Sequence, residues 1–457
     1  MSDSPSASAS AFAARPPHRW KVLAVGVAAN TAFSAVAAGL PTTAVFMRAG
    51  YRLDNGELAL ALGLLGLGVA LFELPWGLLT DRWGDRPVLL AGLGSTTAAL
   101  AWMSGWAAPA DGFVPSLWLL AIGLVLVGML GGSVNGASGR AVMGWFDDGE
   151  RGLAMSIRQT AVPLGGGLGA LLLPWLAAHA GFGAVFGVLA LMCGVAALLT
   201  ACWLREPAVP DVRDVGDVRE ARDVRDVRDA PGAVDAPAPA RPASPLTDAR
   251  VWRAALAIGI MCSPQFAVLT FAAVFLHDSL HAGIGVLTAV MVAVQLGAMA
   301  ARIASGRWTD RRGNRRAYLR GCALLSFALY AALAAAAWVA GASPTSWEVF
   351  ALAVLLAAAG ICASAWHGVA YTELATLAGA SRAGTALGMA NSCVYLMLFA
   401  TPLAIVQIVA ASSWHVAWLI AGSCMLAALP LLPRPAARPA ADAATRGIPC
   451  AATTGRP

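Results

Sequence analysis

Four ionisable side chains lie inside long apolar runs of this sequence: Glu73, Arg158, Arg302 and His367. Holding a charged group at the centre of a bilayer costs at least ~2.5–3.5 kcal/mol, so such residues mark places where a charge has a use. A buried carboxylate such as Glu73 can take up and release a coupling proton. The guanidinium of Arg158 or Arg302 can hold an anion through the two-pronged geometry that suits a carboxylate, and His367 can relay protons. Each has a plainer alternative. Arg302 can snorkel to the membrane interface and Glu73 can pair locally; Arg158 can pair with Asp147 or Asp148, and His367 can be a hydrogen-bonded core histidine. Asn30, Gln265, Gln295 and Asn391 add neutral hydrogen-bonding groups that serve either a solute or helix packing.

The positions of Glu73 and Arg302 tie them to a repeated motif. Residues 77–86 read Gly-Leu-Leu-Thr-Asp-Arg-Trp-Gly-Asp-Arg, and residues 306–315 read Gly-Arg-Trp-Thr-Asp-Arg-Arg-Gly-Asn-Arg, each at the end of an apolar run. Glu73 stands four residues before Gly77, and Arg302 four before Gly306. One half therefore carries an acid where the other carries a base. Read as a loop, the motif has a switch-like charge pattern. Asp81 can accept hydrogen bonds from neighbouring arginines and from a helix N-terminus of the opposite half. Gly77 lets two helices approach, and Gly84 permits a tight turn. Arg140, at the inner end of the fourth apolar run, is expected to support this device. The plainer reading is a positively charged topology anchor.

These residues need elements to hold them, and composition says which. Of the 457 residues, 58% are hydrophobic and only 12% are charged, against about 25% charged in soluble domains. Hydropathy predicts twelve membrane spans, at about 20–45, 57–80, 86–108, 115–141, 152–178, 182–203, 252–277, 283–305, 316–341, 347–372, 383–409 and 412–432. Residues 205–249 repeat Asp-Val-Arg four times and then turn Pro/Ala-rich; such a segment is expected to be a solvated cytoplasmic linker. The expected organisation is a disordered cytoplasmic N-terminus (1–19), a six-helix bundle (20–204), the linker (205–249), a second six-helix bundle (250–432) and a disordered cytoplasmic tail (433–457). Trp20-Lys21 with Trp252-Arg253, Gly77 with Gly306, and Arg151 with Arg382 are related by offsets of 232, 229 and 231 residues. Of the 31 Lys and Arg residues, this topology leaves only Arg48 and Arg52 outside, as the positive-inside rule requires.

The repeated motif resembles the loop between the second and third helices of the major facilitator superfamily of secondary transporters, with its diminished copy between helices eight and nine. The resemblance covers residues 20–432. It implies an all-α membrane protein with twelve transmembrane helices in two pseudo-symmetric six-helix bundles, and a binding site at the repeat interface. It implies that Gly77, Asp81, Arg82, Gly84 and Arg86 clamp the cytoplasmic side in the outward-open state, with Gly306, Asp310, Arg311 and Gly313 as the second copy. The run from Arg151 to Pro174 is similar to the cyanate-permease and organic-anion branches of the superfamily. An arginine placed like Arg302 resembles the anion-binding position of monocarboxylate and oxalate/formate transporters. The fifth span also resembles part of an antiporter signature, but Val162 stands where that signature has glycine.

Other function classes fit less well. The sequence has no Walker phosphate loop, so a gradient is the expected driving force. Gly136-Ala137-Ser138-Gly139 matches the short pattern of an intramembrane serine protease, which needs a histidine facing Ser138 to have meaning. A transporter-like nutrient sensor would be expected to carry a long folded extension. The eight cysteines show no CxxC or Cys/His cluster, so neither a metal site nor a disulfide framework is expected. No cofactor and no nucleic-acid partner is expected, and residues 1–18 lack the basic region and cleavage site of a signal peptide. The expected function is transport of a small organic or inorganic anion across the cytoplasmic (inner) membrane, coupled to protons. The alternative is proton-antiport efflux of drugs or metabolites.

Overall fold

A computed structural model describes residues 18–110, 112–205, 244–341 and 344–433. The segments expected as N-terminus, most of the linker and the tail lie outside the described residues. Eleven described helices are long and apolar enough to cross a membrane: α1 His18–Tyr51, α2 Gly56–Trp83, α3 Asp85–Trp106, α4 Leu117–Trp145, α5 Arg151–His179, α6 Gly181–Trp203, α7 Ala249–His277, α8 Gly285–Arg312, α9 Arg315–Ala340, α10 Ser346–Ala378 and α11 Ala383–Ala411. A shorter apolar helix, α12 Trp414–Ala428, follows. Among the described residues no strand forms beyond one isolated bridge, Ala110 to Phe113. Helices are the expected solution, since each satisfies its backbone within one segment where no water is available.

Local sequence sets the helix ends. Asp54 and Glu57 form a reciprocal capping box at the start of α2, and Thr345 and Glu348 do the same for α10. Gly84, with φ of 92°, ends α2, and Gly313, with φ of 60°, ends α8; both conformations favour residues without a Cβ. The repeated motif is thus largely not a loop. Most of it forms the last turns of α2 and α8; Gly84 alone makes the break before α3, and Gly313 with Asn314 makes the one before α9. Helices α4, α8 and α10 also outrun the spans expected from hydropathy; in α8 the added turns carry Arg307, Asp310, Arg311 and Arg312, which leave the hydrocarbon without ceasing to be helical. The end of the expected linker is likewise structured: Asp248 caps α7, which starts at Ala249.

The buried apolar residues fall into two clusters. One is formed by α1–α6, from Val22 to Leu204. The other is formed mainly by α7–α12 and takes in Leu23, Val142 and Met155 from the first half. Large apolar side chains such as Leu171, Leu191, Leu325 and Val339 face outward, as a lipid environment requires. Exposed Trp83, Trp106, Trp118, Trp338 and Trp347 stand close to helix ends, where indole rings prefer the membrane interface. The glycines of α5 serve packing: Gly165 lies over the backbone of Thr31 and Gly169 against Gly39, at a wide turn in α1 spanning Ala35–Gly39.

Candidate functional site

Two seams join the halves at the end of the molecule that carries the repeated motif. In the first, Asp81 at the end of α2 meets the first turn of α11. Its Oδ1 accepts from Gly384 N at 2.9 Å and its Oδ2 from Thr385 N at 2.7 Å. In the second, Asp310 at the end of α8 meets the first turn of α5, accepting from Gly152 N at 3.0 Å and Leu153 N at 2.7 Å. A carboxylate across two free N–H groups at a helix N-terminus is favoured by both hydrogen bonding and the helix dipole, by roughly 0.3–1 kcal/mol or more when partly buried. The close approach depends on small residues: a Cβ on Gly77 would stand 2.5 Å from Gly384 O, and one on Gly306 would strike the Gly152 backbone.

Arginines brace each seam. Arg140 bridges Asp81 at 3.4 Å and Asp85 at 2.8 Å. Arg315 holds Asp310 at 2.8 Å and donates to Asp148 O at 2.7 Å. Arg151 pairs with Asp148, so that carboxylate is engaged away from Arg158. Of the other motif residues, Arg86 donates to Ala201 O at the end of α6, while Arg82 and Arg311 are exposed. Sequence reasoning did not single out Arg315, although it lies at the motif position equivalent to Arg86.

Two turns deeper, the halves are joined again with opposite sign. The fully buried Glu73 accepts from Asn135 Nδ2 of α4 at 2.5 Å and from Asn391 Nδ2 of α11 at 3.4 Å. Arg302 is equally buried and donates to Ser364 O of α10 at 2.9 Å and to Gln159 O of α5 at 2.6 Å. Asn135 and Ser364 are 229 residues apart, and Gln159 and Asn391 are 232 apart, matching the offsets of the duplication. Glu73 and Arg302 therefore occupy one geometric post in two copies, each fastening its own half to the other. Neither snorkels.

The remaining polar residues form two related pairs. In the first half Asn30 donates to Ser138 Oγ at 2.8 Å, and Arg158 Nη1 donates to the same oxygen at 3.1 Å. At the equivalent place in the second half, Cys262 Sγ lies 3.7 Å from His367 Nε2. His367 also contacts Ser364 O through Nδ1 and stacks on Trp366 at the break in α10. Ser138 has an amide, a guanidinium and the Val134 carbonyl as its partners. None is a general base, so nothing here activates Ser138 as a nucleophile. Tyr371, not foreseen from sequence, donates to Asn391 Oδ1 at 2.6 Å. It lies within electrostatic reach of Glu73, Arg158 and Arg302.

Arg158 differs from the other buried charges. It is 1% exposed, its Nε has no protein partner, and no carboxylate forms an ion pair with it among the described residues. Gln265 Oε1 and Trp366 Nε1, from the second half, are also buried without a protein partner. Gln295 is partly exposed on α8. No group of three or more potential metal ligands occurs among the described residues.

Comparison with known proteins bears on the family and the fold. The Major Facilitator Superfamily sequence model matches residues 22–338 and 256–455. An uncharacterised MFS-type transporter of Mycobacterium tuberculosis is 32% identical over 391 residues, covering 84% of this chain and 77% of the relative. The multi-drug resistance efflux pump PmrA of Streptococcus pneumoniae is 29% identical over 152 residues, 33% of this chain and 36% of the pump. Among solved structures, the proton:xylose symporter XylE aligns with a TM-score of 0.66 at 15% identity, covering 91% of this chain and 95% of the symporter. The human organic anion transporter MFSD10 aligns with a TM-score of 0.64 at 19% identity, covering 92% and 100%. At these identities the two structures speak to the fold.

Proposed function

The chain belongs to the major facilitator superfamily, and from that premise we propose that it is a proton-coupled secondary transporter of a small anionic solute in the cytoplasmic membrane. Arg158 carries this reading. An enclosed guanidinium with one neutral hydroxyl partner and an unpartnered Nε is left with a desolvation cost that an anion would offset. The solute's acidic group binds Arg158 beside Ser138, and Gln265 and Trp366 supply hydrogen bonds from the opposite half. Glu73 takes the coupling proton. Arg302, whose Nε and Nη1 donate to backbone carbonyls, holds helices together instead of binding solute.

The motif end faces the cytoplasm in this proposal, because the positive-inside rule then accounts for its arginines. Closed seams at that end correspond to a state closed to the cytoplasm. A cysteine introduced between residues 206 and 243 should be labelled only from inside the cell; labelling from outside would reverse the topology.

Thermal-shift screening of the purified protein tests the solute class, since a ligand that binds the folded state raises its apparent stability. Carboxylates, cyanate, nitrate and cationic drugs form the panel. An anion should stabilise the parent, Arg158→Lys should keep part of the shift, and Arg158→Ala should lose it, a drop in affinity of at least about tenfold. The second reading is proton-antiport efflux, favoured by the partial similarity to PmrA. Stabilisation by a cationic drug that survives Arg158→Ala would establish that reading over the first.

A further inference from the structure

The two seams are built alike at their outer contacts and differently at their inner ones, and only one of the inner contacts that cross between the halves ends on a group that can gain a proton. We propose that Asn391 is the positioning residue through which the protonation state of Glu73 sets the grip of the α2–α11 seam, while the α5–α8 seam, fixed by Arg302, ignores pH. The inference deepens the reading of Glu73 as the coupling group and rests on it.

Donor and acceptor counting carries the argument. Tyr371 OH donates to Asn391 Oδ1 at 2.6 Å, which turns the Asn391 amide nitrogen toward Glu73. Asn135 also presents its nitrogen. Glu73 therefore meets two N–H donors, one on each oxygen, and the ionised carboxylate is the form that accepts strongly on both. Protonation turns one of these oxygens into a hydroxyl, a weaker acceptor, and removes the charge from both bonds, so the weaker of the two is the first to be lost. The Asn135 bond is short, at 2.5 Å, and lies within one half; the Asn391 bond is long, at 3.4 Å, and crosses between halves. The crossing bond is the one that gives way.

The consequence reaches the motif end along one helix. Asn391 stands about two turns into α11 from Gly384 and Thr385, whose N–H groups cap Asp81. Gly388 lies between them, close enough that a Cβ there would stand 2.6 Å from Glu73 O. Releasing Asn391 loosens this stretch of α11 against α2. The ionisable groups that face Glu73 are Arg158 from α5, Tyr371 from α10 and Tyr395 from α11. On the other seam, Arg302 Nη1 donates to Gln159 O, and Asp310 caps Gly152 and Leu153. A guanidinium keeps its proton throughout the accessible range, and a carbonyl has none to gain; the titratable groups that face Arg302, namely His367, Cys262 and Tyr371, belong to its own half and are not part of the crossing bond.

Amide hydrogen exchange on the purified full chain, without solute or gradient, tests the proposal. Peptides spanning 383–391 and 151–159 report the two seams, after correction for the intrinsic pH dependence of exchange. Lowering the pH should speed exchange at 383–391 by about tenfold, the effect of losing one hydrogen bond to a charged group, and leave 151–159 unchanged. Glu73→Gln should place 383–391 in the fast regime at every pH. Tyr371→Phe, which removes one hydroxyl and lets Asn391 turn, should flatten the pH response while Glu73 remains. Equal loosening of both seams on acidification, or an undiminished response in Tyr371→Phe, would overturn it. Because no solute is present, an unresponsive seam would refute this linkage while leaving the Arg158 binding test to stand or fall alone.

Discussion

The α2–α11 and α5–α8 seams are two copies of one device whose deeper posts carry opposite charge. Both use an aspartate on two N–H groups of the opposite half, both bring glycine against backbone, and both have a second contact two turns deeper. At that deeper post one copy has Glu73 between amides, and the other has Arg302 on carbonyls. Duplication supplied two equivalent seams, and under the proposed function the opposite sign of their deeper posts gives a proton access to the crossing contact of only one of them. In the proposed cycle, near symmetry keeps the halves mechanically matched, and the broken symmetry at Glu73 provides the coupling.

Crowding one seam should have the largest effect. Gly77→Val places side-chain atoms where Gly384 O now lies, so the α2–α11 seam cannot close and transport should fall by more than tenfold in a correctly inserted protein. Normal transport by Gly77→Val in proteoliposomes would mean that this contact is not part of the cycle. Weakening the caps comes next. Asp81→Asn and Asp310→Asn should each slow transport by about three- to tenfold, the size of a lost charge–dipole and hydrogen-bond contribution, with solute affinity by thermal shift unchanged. A change in affinity without a change in rate would place the effect at the binding site. The bracing arginine matters least. Arg140→Gln should cost about twofold in rate, because Asp81 keeps both backbone donors and partly exposed ion pairs contribute little; a loss as large as that of Asp81→Asn would make Arg140 a primary gate element.

Much of this was legible in the sequence. Twelve apolar runs, a twice-used glycine–aspartate–glycine pattern and three anchors at a common offset give the helices and the duplication, because hydropathy and spacing are written directly in residue types. The opposed placement of Glu73 and Arg302 was also visible. Their partners were harder to see. Arg302 donates to the backbone of Ser364 and Gln159, and a carbonyl acceptor leaves no signature in residue identity. Asn135 and Tyr371 were available as polar residues inside spans, but only the packing of α4, α10 and α11 shows that they surround Glu73. The motif itself was read as a loop because its charges mark the membrane surface, whereas the helix continues until Gly84 and Gly313 permit a turn.

Transport in proteoliposomes as a function of pH, compared between Glu73→Gln and Arg302→Lys, tests the divergence of the two copies most directly. The account predicts that Glu73→Gln still exchanges solute at a rate that no longer varies between mildly acid and mildly alkaline pH. Arg302→Lys should be slower at every pH while keeping the parental profile. A parental profile in Glu73→Gln, or a flattened one in Arg302→Lys, would contradict it.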